Sequence, residues 1–153
     1  MIKKSKILIV DDEPRLCDSL KTLLCAQNYY VKTCSSGSEA LTFLIQNEFD
    51  LVLLDIFMEG MDGFQIIENI MDQKIDIPVI IMTGKASTQS AIKALRMGAS
   101  DYLKKPFEPE ELYTSVKNII NQRTLERKLK ESDKRYEDLV NMIPQGIQIT
   151  DRD

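Results

Sequence analysis

The chain reads as an α/β protein, a doubly wound five-stranded parallel sheet with an extended C-terminal helix. Three observations predict it. Short, uniformly apolar runs (KILIV at 6–10, LVLL at 51–54, PVIIM at 78–82) are too brief for helices and too apolar for surface strands. They suit strands buried on both faces, as a helix-covered parallel sheet requires. Between them lie stretches with apolar residues at helical spacing. Strand and helix alternate five times with connections of a few residues, which right-handed crossovers turn into one sheet.

The first strand, Lys6 to Val10, runs into Asp11-Asp12-Glu13. Pro14 then suits a first helical turn, where its missing N–H would be unpaired anyway. Leu16, Leu20, Leu23 and Leu24 share one face of that helix, which ends near Asn28. YVKTC at 30–34 alternates and predicts a strand nearer an edge. Ser36-Gly37-Ser38-Glu39 reads as a capping box opening a helix with Ala40, Leu41, Phe43 and Leu44 inside. The central strand, LVLLD, ends in Asp55. Beyond a loop with Gly60 and Gly63, a third helix buries Phe64, Ile66, Ile67 and Ile70. PVIIM leads to Thr83-Gly84. Ser87 or Thr88 caps a fourth helix carrying Ala91, Ala94, Leu95 and Met97, closed by Gly98. DYLKK at 101–105 is a fifth strand, broken by Pro106. A fifth helix starts at Pro109 with acids in its first turn, where the helix dipole favours them.

Composition narrows the chemistry. The 153 residues carry a net charge of −4, which gives no reason to expect nucleic-acid binding. No apolar stretch approaches membrane-spanning length and no signal peptide is visible, so a cytoplasmic protein is expected. Three cysteines without C-x-x-C spacing predict free thiols. Histidine is absent, which removes His triads, His metal sites and phosphohistidine from this chain. No glycine-rich nucleotide loop is present.

What remains is the set of residues that ends the strands. Strand one ends in Asp11-Asp12, strand three in Asp55, strand four in Thr83 and strand five in Lys105. Parallel strands put all of them on one rim. With a strand order of 2-1-3-4-5, strands one and three are neighbours at the topological switch point, and the three aspartates meet there. Crowded carboxylates need raised pKa values or a cation. An all-oxygen ligand set suits Mg²⁺. A carboxylate beside Mg²⁺, a lysine and a hydroxyl is equipped to accept a phosphoryl group.

Asp11-Asp12 after an apolar strand, LVLLD followed by M-D-G, PVIIMTG, G-A-S-D-Y and K-P-F, in this order and spacing, resemble the receiver domain of two-component response regulators, whose fold is flavodoxin-like. The resemblance covers about residues 5–122. It implies that Asp55 is the phosphorylated residue in a Mg²⁺-dependent, self-catalysed reaction. It also implies that Asp11, Asp12, Asp55 and the backbone carbonyl of Phe57 hold the metal. Lys105 and Thr83 act on the phosphoryl group, the Lys105–Pro106 bond is cis, and Thr83 and Tyr102 form a switch pair. A cognate histidine kinase or phosphotransfer protein is the implied donor. Phosphorylation would change the face made by helix four, strand five and helix five. Two departures stand out: Glu59 where the family usually has proline, and Phe57 and Lys85 at positions that tune phosphoryl lifetime.

The domain organisation expected is a receiver at 1–122, a helical linker at 123–142 and the start of a following domain at 143–153. Leu125, Leu129, Ser132, Tyr136, Leu139 and Ile143 alternate four and three apart, which is coiled-coil spacing and predicts a homodimer through helix five and the linker. Glu126 with Lys130 and Glu131 with Arg135 add favourable pairs four apart. The segment from Ser132 resembles the entry to a PAS domain, so the chain is expected to be part of a longer protein, with a kinase or cyclase domain conceivable beyond. Two other functions fit less well. A non-signalling dimerisation module would not need the full acidic set. A haloacid-dehalogenase-like phosphatase needs a second acid two residues after its nucleophile, where this chain has Phe57. The chain is therefore expected to be a phosphoryl acceptor and not an enzyme.

Overall fold

A computed structural model describes residues 3–84 and 88–141. In chain order the elements are β1 (Lys6–Val10), α1 (Pro14–Ala26), β2 (Tyr30–Cys34), α2 (Gly37–Gln46), β3 (Leu51–Asp55), α3 (Gly63–Asp72), β4 (Val79–Thr83), α4 (Thr88–Arg96), β5 (Asp101–Lys104) and α5 (Pro109–Asn141). All four strand pairings are parallel, in the order β2-β1-β3-β4-β5. The chain divides into two compact units, Met1–Ile120 and Asn121–Asp153.

Within the first unit the sheet is covered on both sides. Cys17, Leu20 and Leu24 of α1 and Leu112, Val116 and Ile120 of α5 pack over Ile7, Ile9, Leu53 and Met82. On the other side, Ala40 and Leu44 of α2, Ile66, Ile67 and Ile70 of α3, and Ala94 of α4 pack over Leu8, Val10, Leu54 and Ile81. Every residue of β3 and β4 is buried, including the polar Asp55 and Thr83 that end them. Each of their apolar side chains contributes about 1.5–3 kcal/mol on burial, which holds the strands that carry the rim in place.

Several local expectations change. β4 runs from Val79 to Thr83, so it ends in Thr83 as expected but leaves Pro78 outside the strand. β5 stops at Lys104, but the Lys105 N–H still donates to the Thr83 carbonyl at 2.9 Å, continuing the pairing. Only the forward half of the capping box at Ser36 forms, with the Glu39 N–H donating to Ser36 Oγ at 3.2 Å. A reciprocal box forms at α3 instead, between Asp62 and Gln65, where the aspartate takes the place of the expected Ser or Thr. Leu95 is not a core residue: it is 45% exposed, while Ala94, beside it on α4, is fully buried. Ser87 and Lys85 lie outside the described residues.

In α5 the first-turn glutamates are Glu110 and Glu111. Beyond Ile120 the described leucines of the second unit are open. Leu125, Leu129 and Leu139 are 66, 63 and 64% exposed. The side chain of Tyr136 and residues 143–153, where the PAS-like expectation falls, lie outside what the structure describes. Among the described residues no helix is long and apolar enough to cross a membrane.

Candidate functional site

The rim forms where β1, β3, β4 and β5 end together. Asp11 is completely buried just beyond β1. Its main-chain N–H donates to the Cys34 carbonyl of the edge strand at 3.2 Å, and its carbonyl accepts from Cys17 Sγ at 3.3 Å. One carboxylate oxygen, Oδ1, accepts from the Glu13 N–H at 3.0 Å. The other accepts from Lys105 Nζ at 2.7 Å. Asp11 is thus fixed at both backbone ends and at both carboxylate oxygens.

Asp55 is the last residue of β3 and 6% exposed. Its Oδ1 accepts from the Phe57 N–H at 3.1 Å, and Oδ2 lies 3.4 Å from Lys105 Nζ. Asp12 is exposed, yet one oxygen from each of Asp11, Asp12 and Asp55 falls within 4.8 Å of the others. Oxygens on one Mg²⁺ lie about 3 Å apart when cis and about 4.2 Å when trans, so a bound ion would draw the three carboxylates closer together. Three carboxylates and one ammonium leave a formal excess of two negative charges, which a divalent cation balances.

The electrostatics follow from burial. Desolvation raises the Asp55 pKa most; Lys105 opposes this and the Asp11 charge adds to it. For Lys105, burial lowers the pKa, but the hydrogen bond and charge of Asp11, with the charge of Asp55, outweigh it and leave the ammonium favoured. The Cys17 thiol beneath the rim is pushed up to about 11, first by burial and then by Asp11. It stays protonated and serves as a donor, not as a nucleophile.

The expected site residues do not all meet. Asp11, Asp12, Asp55 and Lys105 converge. Thr83 ends the neighbouring strand and is fully buried, paired in register with Lys104. Phe57 contributes its main chain at the rim while its ring is 43% exposed. Tyr102 lies further back, opposite Ile81 on the ladder, its ring half-buried against the α4 side of the core. Lys104 points out to solvent, so the adjacent lysines are cleanly separated. Met58 is buried and Met61 packs against the same cluster, as loop packing. The Lys105–Pro106 bond is cis.

Two contributors escaped sequence reasoning. A Cβ on Gly63 would stand 2.6 Å from Ile56 Cα and 2.9 Å from the Asp55 carbonyl, so only glycine lets α3 start this close to the loop behind Asp55. Its N–H donates to the Ile56 carbonyl at 2.8 Å. The M-D-G signal was visible without revealing this role. The Cys17 contact had no signal at all.

Comparison with known proteins agrees with this geometry. Residues 7–117 match the model of the response regulator receiver domain. The response regulator SaeR of Staphylococcus aureus is 41% identical over 114 residues, covering 74% of this chain and 50% of SaeR. The chain thus spans about half the length of the curated relatives it matches. Among solved structures, the signal receiver domain of a putative LuxO repressor protein from Vibrio parahaemolyticus superposes with a TM-score of 0.80 at 27% identity, covering 83% of this chain and 98% of that one. A CheY-like receiver domain protein from Methanospirillum hungatei JF-1 gives 0.77 at 30% identity, covering 81% and 99%. Receiver domains bind Mg²⁺ at an acidic pocket and accept phosphate from histidine kinases, and an acidic cluster of that kind stands at this rim. With its 2-1-3-4-5 sheet and this acidic rim, the chain belongs to the response regulator receiver domain family and is the receiver domain of a two-component system.

Proposed function

We propose that Asp55 is the phosphoryl acceptor of this receiver, and that Asp11, Asp12 and the Phe57 carbonyl complete a Mg²⁺ site beside it. The observation that carries this is the shared grip of Lys105 on Asp11 and Asp55, at 2.7 and 3.4 Å, within a cluster whose formal charge suits a divalent cation. When bound, Mg²⁺ would supply charge neutralisation at the transferring phosphoryl oxygens. Asp55 attacks phosphorus through one carboxylate oxygen. The bond to the donor's leaving group breaks, and that group departs with the electron pair. Lys105 is free to follow the charge from the carboxylates to a phosphoryl oxygen, because both its contacts are to the groups that change. Its ammonium, favoured by Asp11, is the charged form this role requires.

The new oxygens on Asp55 then draw the Thr83 hydroxyl towards them. Tyr102 moves into the space beside Thr83, and the face made by α4, β5 and α5 changes. The donor is a histidine kinase or phosphotransfer protein, since this chain has no histidine of its own. The protein works in the cytoplasm, without binding nucleic acid through this segment, and is an acceptor with self-catalysed gain and loss of phosphate, not an enzyme acting on other substrates. The open, regularly spaced Leu125, Leu129 and Leu139 support a homodimer through the C-terminal half of α5. That seam alone would also serve a dimerisation module without signalling.

Intact mass after incubation with Mg²⁺ and acetyl phosphate tests the reading. The wild type is expected to gain one phosphoryl group. Asp55→Asn, or wild type with EDTA, is expected to gain none. A gain that persists in Asp55→Asn contradicts it.

A further inference from the structure

β5 carries the proposed switch residue and two neighbours that face the other way. Tyr102 packs on the side of the sheet covered by α4, against the cluster that contains Ala94 and Ala99. Leu103 packs on the opposite side with Leu112, Val116 and Ile120 of α5. Successive residues of a strand alternate faces, so Asp101 shares the α5 side. There its Oδ2 accepts a hydrogen bond from the Ser115 hydroxyl of α5, and its Oδ1 accepts from the Tyr102 N–H at 2.8 Å. One carboxylate therefore holds both the main chain of the switch residue and the middle of the buried face of α5. Ser115 is 6% exposed, flanked along the helix by fully buried Leu112 and Val116. A hydroxyl in that position gains nothing from apolar packing, and its partner is on the switch strand.

We infer that the Asp101–Ser115 hydrogen bond is the coupling between the switch strand and α5, with Asp101 and Ser115 as positioning residues. This rests on the proposed function, since it says how a change at Tyr102 would reach α5. Apolar contacts such as those of Leu103 tolerate sliding, because dispersion has no direction. A hydrogen bond to an ionised carboxylate is directional and stronger than a neutral one. A shift of the Tyr102 main chain therefore displaces the Asp101 carboxylate, and Ser115 has to follow it.

The test compares wild type, Ser115→Ala and Ser115→Thr, each as the full chain. Phosphoryl gain is read by intact mass, and amide hydrogen exchange is read before and after addition of beryllofluoride with Mg²⁺. All three proteins are expected to gain one phosphoryl group. In the wild type, exchange should change both in the peptide holding Tyr102 and in the first half of α5. In Ser115→Ala the change at Tyr102 should remain and most of the change in α5 should be lost. Ser115→Thr, which keeps the hydroxyl, should restore it. If α5 responds fully in Ser115→Ala, the coupling is overturned. It is also overturned if the wild type changes at Tyr102 and not in α5. A wild type that gains no phosphoryl group brings down the proposed function itself, and the mass measurement separates that outcome from the others. A purely structural role would lower the melting temperature of Ser115→Ala in both states and leave the α5 response intact.

Discussion

Leu54 and Asp55 are adjacent on β3 and almost equally buried, at 0 and 6% exposed, yet they stand for opposite designs. The sheet interior is apolar on both faces, and each contact there adds to stability. The rim is formed by the next residues of the same strands and gathers like charges in a place where water is scarce. Burial raises the Asp55 pKa above the ordinary carboxylate value, so the ionised group costs free energy in the folded state. The comparison teaches that the interior holds the rim together. Neighbouring strands fixed by buried side chains keep the carboxylates closer than they would choose to be.

The largest effect that would sharpen this contrast is at Leu54. Leu54→Ala removes a fully buried side chain and should cost about 2–5 kcal/mol. That is a large share of a typical total of about 5–15 kcal/mol. Urea denaturation reads it directly.

At the neighbouring residue the sign should reverse. Without metal, Asp55→Asn should melt a few degrees higher than wild type, because Lys105 keeps Asp11 as its partner and one repelling charge is gone. The pH dependence has a defined direction. For an acid whose folded pKa is raised, the penalty is absent below the unfolded pKa and complete above the folded one. The advantage of Asp55→Asn should therefore be full near neutral pH and fade as pH falls through that window. Melting curves in EDTA across pH check this; a mutant less stable at neutral pH would break the comparison.

The smallest effect belongs to the second unit. Leu129 is 63% exposed, so in dilute, monomeric solution Leu129→Ser should change stability by no more than about 0.5 kcal/mol. At higher concentration the same substitution should weaken self-association, read by sedimentation.

Much of this was legible in the sequence for a physical reason. A strand buried on both faces must be apolar throughout, so LVLL and VIIM announce themselves, and the polar residue that ends each one marks the rim. Asp11, Asp12, Asp55 and Lys105 could be gathered from strand ends and topology alone. What stayed hidden depends on contacts between distant segments. Cys17 beneath Asp11, Gly63 against Ile56, and Ser115 on Asp101 are specified by how α1, α3 and α5 seat on the sheet, and no local spacing encodes that. Leu95 was misleading because an apolar residue four positions from Ala91 fits a helical face in sequence, while in the structure it is Ala94 that is buried and Leu95 that is exposed. The box at Asp62 was overlooked because aspartate and glutamine perform there the task that Ser36 and Glu39 only half perform.

The most direct test of the central claim is to locate the phosphoryl group. After reaction with acetyl phosphate and Mg²⁺, borohydride reduces an acyl phosphate to the alcohol, and peptide mass mapping then finds the marked residue. Conversion of Asp55 alone to homoserine is the expected result. A mark on Asp11 or Asp12, or on an acid away from this rim, would contradict the account.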